Sequence, residues 1–107
     1  MSTQQDPSPA TGDEGYLVDP RDWTEAFAEA IAAREGLVLT EEHWSLIRWM
    51  RAWQEEHGIS PGPRLAVAFL KERGGGRNRL FELFPYGYVK QACKIAGMMK
   101  PRIWSTG

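Results

Sequence analysis

Apolar positions recur at helical spacing along most of this chain, and strand-like alternation is nearly absent. Trp23, Phe27, Ala30 and Ile31 fall on one helical face. Asp19 can cap this first helix and Pro20 suits its first position, which predicts a helix over about residues 20–34, ended by Gly36. Thr40 caps a second helix, with Glu41 and Glu42 facing the positive end of its dipole, running to about His57 and stopping at Gly58. Leu46, Trp49, Met50 and Trp53 form its stripe, widened by Trp44 and Ile47, as expected of a helix buried on more than one side. Ser60-Pro61 opens a third helix over about 61–73, with Leu65, Val67, Phe69 and Leu70 inward, and Gly74-Gly75-Gly76 breaks it. A brief fourth helix near 78–84 is closed by Pro85, and a fifth over about 88–96 places Val89, Ala92, Cys93 and Ala96 on one side. Only Tyr16-Leu17-Val18 reads as a short strand. The expected architecture is a mainly all-α, compact five-helix domain over residues 14–97, with helix-turn-helix-like packing. A disordered tail over 1–13 precedes it and a flexible C-terminal arm over 98–107 follows it.

Composition narrows the functional classes. The chain has 107 residues, 42% hydrophobic and 25% charged, which suits one soluble domain with a modest core. No apolar run approaches the roughly 20 residues of a membrane span, and residues 1–15 lack the apolar core of a secretory signal. One cysteine builds neither a disulfide framework nor a metal site. The expectation is a cytoplasmic monomer with a reduced thiol, no cofactor and no membrane partner. Charge is uneven: residues 1–63 carry four basic and twelve acidic side chains, whereas residues 64–107 carry nine and two. The basic half points to an anionic partner, nucleic acid or acidic protein, or else to two faces that attract each other within the fold.

Five blocks of sequence then carry a resemblance. They are Glu14-Gly15-Tyr16-Leu17-Val18-Asp19-Pro20 with Asp22-Trp23, Leu39-Thr40-Glu41-Glu42-His43-Trp44, and Ile59-Ser60-Pro61. The last two are Leu80-Phe81-Glu82-Leu83-Phe84-Pro85-Tyr86-Gly87 and Lys90-Gln91-Ala92-Cys93-Lys94-Ile95-Ala96-Gly97. In this order they resemble the DsrC/TusE family of small sulfur-relay proteins, which includes the gamma subunit of dissimilatory sulfite reductase. The resemblance implies a helical protein that takes a persulfide from a donor complex on a cysteine of its C-terminal arm. It would pass the sulfur to tRNA-thiolation machinery or to sulfite reductase. It also implies, for the sulfite-reductase branch, a second cysteine eleven positions upstream on the preceding helix. Cys93 matches that upstream position, and Trp104 stands where the resemblance places the carrier cysteine. An indole cannot hold a persulfide, so a binding or regulatory paralogue is the leading expectation, with sulfur transfer through Cys93 as the alternative.

Residue by residue, two readings of Cys93 stay open. It is a sulfur-accepting or redox thiol activated by Lys90 and Lys94, with Lys100 and Arg102 able to fold over it, or it is a small apolar core residue. Lys90, Lys94, Lys100, Arg102 and Trp104 form the expected partner-binding surface. Trp104 is either an anchor that fills a groove or an aromatic resting on the surface. The remaining tryptophans are expected in the core, and His43 and His57 read as surface or capping residues. A DNA-binding alternative places Arg77 and Arg79 at the start of a recognition helix, although Phe81, Leu83 and Phe84 leave few positions for base edges.

Overall fold

A computed structural model of the chain describes residue 11 and residues 15–98. Five α-helical segments make up the fold: α1 (Glu25–Arg34), α2 (Glu41–His57), α3 (Pro63–Lys71), α4 (Arg77–Leu83) and α5 (Cys93–Ile95). The expected strand reduces to one antiparallel bridge between Thr11 and Leu17, and no other bridge occurs among the described residues. Tyr16 and Leu17 are nevertheless buried, so this segment is held by packing and not by a sheet. The expected tail apart from Thr11, together with Lys100, Arg102, Trp104 and the arm beyond Met98, lies outside the described residues.

The start of α1 differs from the sequence expectation. Asp19 does accept from the Arg21 amide at 3.0 Å, but it caps only a single 3₁₀ turn over Pro20–Asp22. Trp23 and Thr24 are extended, and Thr24 Oγ1 accepts from the Phe27 amide at 3.1 Å to begin α1 afresh. Two capping signals five residues apart compete, and the break frees Trp23 to turn toward the last helix.

α2 follows expectation at both ends, with Thr40 as cap and Gly58 left-handed at its close. Its inner face is His43, Leu46, Ile47 and Met50, while Trp44 and Trp49 pack half-buried at the margin of the core. Trp49 stacks on Phe69 of α3, with centroids 5.0 Å apart. Trp53 lies flat against His57 at 3.8 Å, so the tryptophans edge the core and do not fill it. α3 is shorter than expected; Phe69 and Leu70 are buried and Val67 packs half-buried against the core as expected, but Ala66 is buried while Leu65 is 41% exposed. Pro61 lies outside this helix because Pro63 holds Gly62 extended as its N-cap, and the Pro61 carbonyl accepts from the Tyr88 hydroxyl at 2.6 Å.

The fifth helix is not a uniform α-helix. Tyr88–Ala92 forms a π turn that runs directly into α5. Between Tyr88 and Met98 every residue except Lys90 and Lys94 is buried, which makes this segment the centre of the core. Among the described residues no helix is long and apolar enough to cross a membrane.

Candidate functional site

The sequence singles out Cys93, so the site is built outward from its helix. In the π turn the Cys93 amide reaches back to the Tyr88 carbonyl, and the Ala92 amide to the Gly87 carbonyl at 3.3 Å. The wide turn is held from outside by Tyr16, whose hydroxyl donates to the Val89 carbonyl at 2.6 Å. The far end closes in a Schellman motif, where the Met98 amide bonds the Cys93 carbonyl at 2.9 Å and the Gly97 amide bonds Lys94 at 3.2 Å. Gly97 is left-handed with φ +80°, and a Cβ there would come within 2.4 Å of Trp23 Cδ1.

The two remaining carbonyls of that last turn are also taken. Trp23 Nε1 donates to Ile95 at 2.8 Å and Arg51 Nη1 to Ala96 at 2.7 Å. The Arg51 guanidinium lies 4.3 Å from the Trp23 ring centroid, and its second nitrogen donates to the Pro20 carbonyl at 2.9 Å. A helix end normally leaves its carbonyls to water. Here indole and guanidinium replace that water, so Met98 leaves the domain from a fixed point.

The thiol itself is inaccessible. Cys93 is 0% exposed, and burial pushes its pKa up to about 12 against a partial opposing effect of the Tyr88 hydroxyl. The expected activation by lysines is corrected by the geometry. Lys94 Nζ pairs with Glu35 Oε2 at 3.3 Å and lies 5.7 Å from the Tyr16 ring centroid, while Lys90 points to solvent. Flanking cations in sequence do not serve the thiol here: Lys94, one position along, lies on a different face of the helix, and Lys90 is exposed while Cys93 is enclosed in the core. The same Glu35 accepts from buried Gln91 at 2.8 Å, and Gln91 Oε1 receives the Tyr86 amide at 3.0 Å. No buried side-chain nitrogen or oxygen is left without a partner among the described residues.

His43 is the capping residue the sequence allowed, but it does not lie on the surface. It is buried: its Nδ1 accepts from the Thr40 amide at 3.0 Å, and Nε2 therefore carries the proton and donates to the Leu83 carbonyl at 2.7 Å. Desolvation holds it below the ordinary imidazole value, with the Leu83 bond working the other way. The usable signal was position, since His43 stands where a capping box carries Glu or Gln. The proposed recognition helix is also altered: Arg79 pairs with Glu42 and with Glu82 at 2.9 Å, so one of its two arginines is already neutralised. Among the described residues no group of side chains could hold a metal ion.

Known proteins align with this arrangement. Residues 3–103 match the family described as DsrC like protein. The chain is 44% identical over 95 residues to the sulfurtransferase TusE of Yersinia pseudotuberculosis, covering 85% of this chain and 88% of that protein. It is similar to the oxidized gamma subunit of dissimilatory sulfite reductase from Archaeoglobus fulgidus, at TM-score 0.80 and 35% identity, over 88% of this chain and 90% of that one. A chain of the crystal structure of dissimilatory sulfite reductase I is similar at TM-score 0.77 and 29% identity, over 87% and 88%.

Proposed function

This chain belongs to the DsrC-like family of sulfur-relay proteins, and from that membership we propose that it serves the relay by binding and regulating, in place of carrying sulfur. One observation carries the reading: Cys93, the only thiol in the sequence, is fully enclosed and held protonated. A sulfur carrier needs a thiolate that a donor can reach. Trp104 adds to this, because it occupies the position that the resemblance gives to the carrier cysteine. The partners are then the proteins a carrier meets, a sulfur-donor complex and either sulfite reductase or tRNA-thiolation machinery. The chain would occupy their docking surfaces without delivering cargo, with Lys90 and Lys94 as part of the contact. Lys100, Arg102 and Trp104 on the arm itself would extend the contact.

Incubation with a persulfide donor, followed by intact-mass measurement, tests the proposal. The expected result is no gain of a sulfur atom by the folded protein, together with slowed transfer when it is added to a relay that uses a two-cysteine relative. A sulfur adduct that forms on the native chain and is absent from Cys93→Ala would overturn it. The second reading, sulfur transfer through Cys93, would then stand; it is favoured by the name of the relative, a sulfurtransferase.

A further inference from the structure

The described surface has one concavity where unpaired cations surround an apolar floor. It lies between α3 and α4, has a volume of about 520 Å³, and is lined by Arg64, Val67, Arg77, Leu80, Phe81 and Tyr88. Most arginines of the chain are already engaged. Arg21 pairs with Asp19, Arg48 with Glu41, and Arg79 with Glu42 and Glu82, while Arg51 and Arg73 donate to backbone carbonyls. Arg64 and Arg77 make no ion pair or hydrogen bond among the described residues, and both are exposed. In the same lining Phe81 presents 48% of its surface to solvent. Two free guanidinium forks beside a half-exposed phenylalanine are the composition of an interface hot spot.

We propose that the α3/α4 groove is a docking site for an acidic segment of a partner protein, one carrying a leucine or phenylalanine between carboxylates. The carboxylates would pair with Arg64 and Arg77, and the apolar side chain would enter over Val67, Leu80 and Phe81. Charge decides the occupant. The chain's own residues 99–107 bring Lys100 and Arg102, which repel the two arginines, so the arm is disfavoured here. Nucleic acid is disfavoured too, because phosphate binding needs a row of cations, whereas the neighbouring Arg79 is neutralised and Glu82 is exposed. The groove also lies one side chain away from the thiol, since its floor residue Tyr88 is the hydroxyl partner of Cys93. The inference names a surface for the binding role proposed above and rests on that reading.

The test is an NMR titration of the full chain with an acetylated peptide that has leucine and phenylalanine flanked by aspartates and glutamates. The expected result is saturable shifts confined to α3, α4 and Tyr88, weakening as salt rises. In the double variant Arg64→Glu/Arg77→Glu the affinity falls at least about tenfold while the spectrum of the rest of the domain is unchanged. No saturation, or equal binding of a peptide with lysines in place of the acids, would overturn the site. So would tighter binding of an RNA hairpin through the same residues, or a concentration-dependent dimer abolished by the same variant. The sulfur-mass experiment does not involve the groove, so its result and this one can fail separately.

Discussion

The surroundings of Cys93 and the α3/α4 groove share a wall at Tyr88 and are opposite in character. Around Cys93 each carbonyl of the last turn has a donor, each buried polar side chain has a partner, and burial keeps the thiol protonated. In the groove two arginines have no partner among the described residues and a phenylalanine is half out of the core. Reactivity and recognition make different demands. A nucleophile needs its charged form stabilised, which burial opposes, while a docking surface needs groups whose interactions are not yet satisfied. Cys93 sits in a setting built for packing, and the unspent polar groups lie elsewhere.

The largest effect that would break this contrast is expected at Gly97. Gly97→Val forces a side chain into a left-handed position against Trp23, so urea denaturation should show a loss of about 3 kcal/mol. Unchanged stability would mean that the arm's departure point is not clamped. Next is the groove pair. Arg64→Glu/Arg77→Glu should weaken the acidic peptide at least about tenfold yet alter stability by no more than about 0.5 kcal/mol, because neither side chain has a partner to lose. Comparable in size is Tyr16→Phe, which leaves the Val89 carbonyl without its hydroxyl donor. Iodoacetamide should then label Cys93 about tenfold faster, whereas Ile47→Val on α2, a core change of similar cost, should not. Equal labelling of the two variants would show that Cys93 is exposed only by general loosening.

The smallest expected effect is on pH dependence, and His43 sets its sign. Its folded pKa is lowered by desolvation, so the unfolded chain binds the proton more readily. Stability is therefore fully present above the ordinary imidazole value of 6.5 and declines as pH falls from there toward the lower folded value. His43→Gln should flatten the profile in that window, measured by denaturation at a series of pH values. A profile that is already flat in the native chain would show that His43 is not held neutral.

Much of this was readable along the chain and some was not. Thr40 and Gly58 fixed the ends of α2 because caps act through their own backbone neighbours. Asp19-Pro20 misled the reading of α1, since a second cap at Thr24 starts the helix and lets Trp23 reach Ile95. On α3, Phe69, Leu70 and the half-buried Val67 were read inward correctly, and Leu65 alone was misplaced, with Ala66 buried in its stead, because a short helix with apolar residues on several sides has no unique face until α4 packs on it. The burial of His43 was hidden for a related reason: only the Leu83 carbonyl, forty residues away, shows that both ring nitrogens are satisfied.

The sequence by itself determined that this is a helical protein of the DsrC-like family, with a single sulfhydryl and an indole at position 104. Those facts depend on residue identity, local caps and spacing. Only the tertiary structure decided that Cys93 is protonated and enclosed, that Lys94 serves Glu35, and that Arg64 and Arg77 stay free while Arg79 does not. Desolvation and ion pairing fall off within a few ångströms, so they answer to whichever residues the fold brings close and not to neighbours along the chain.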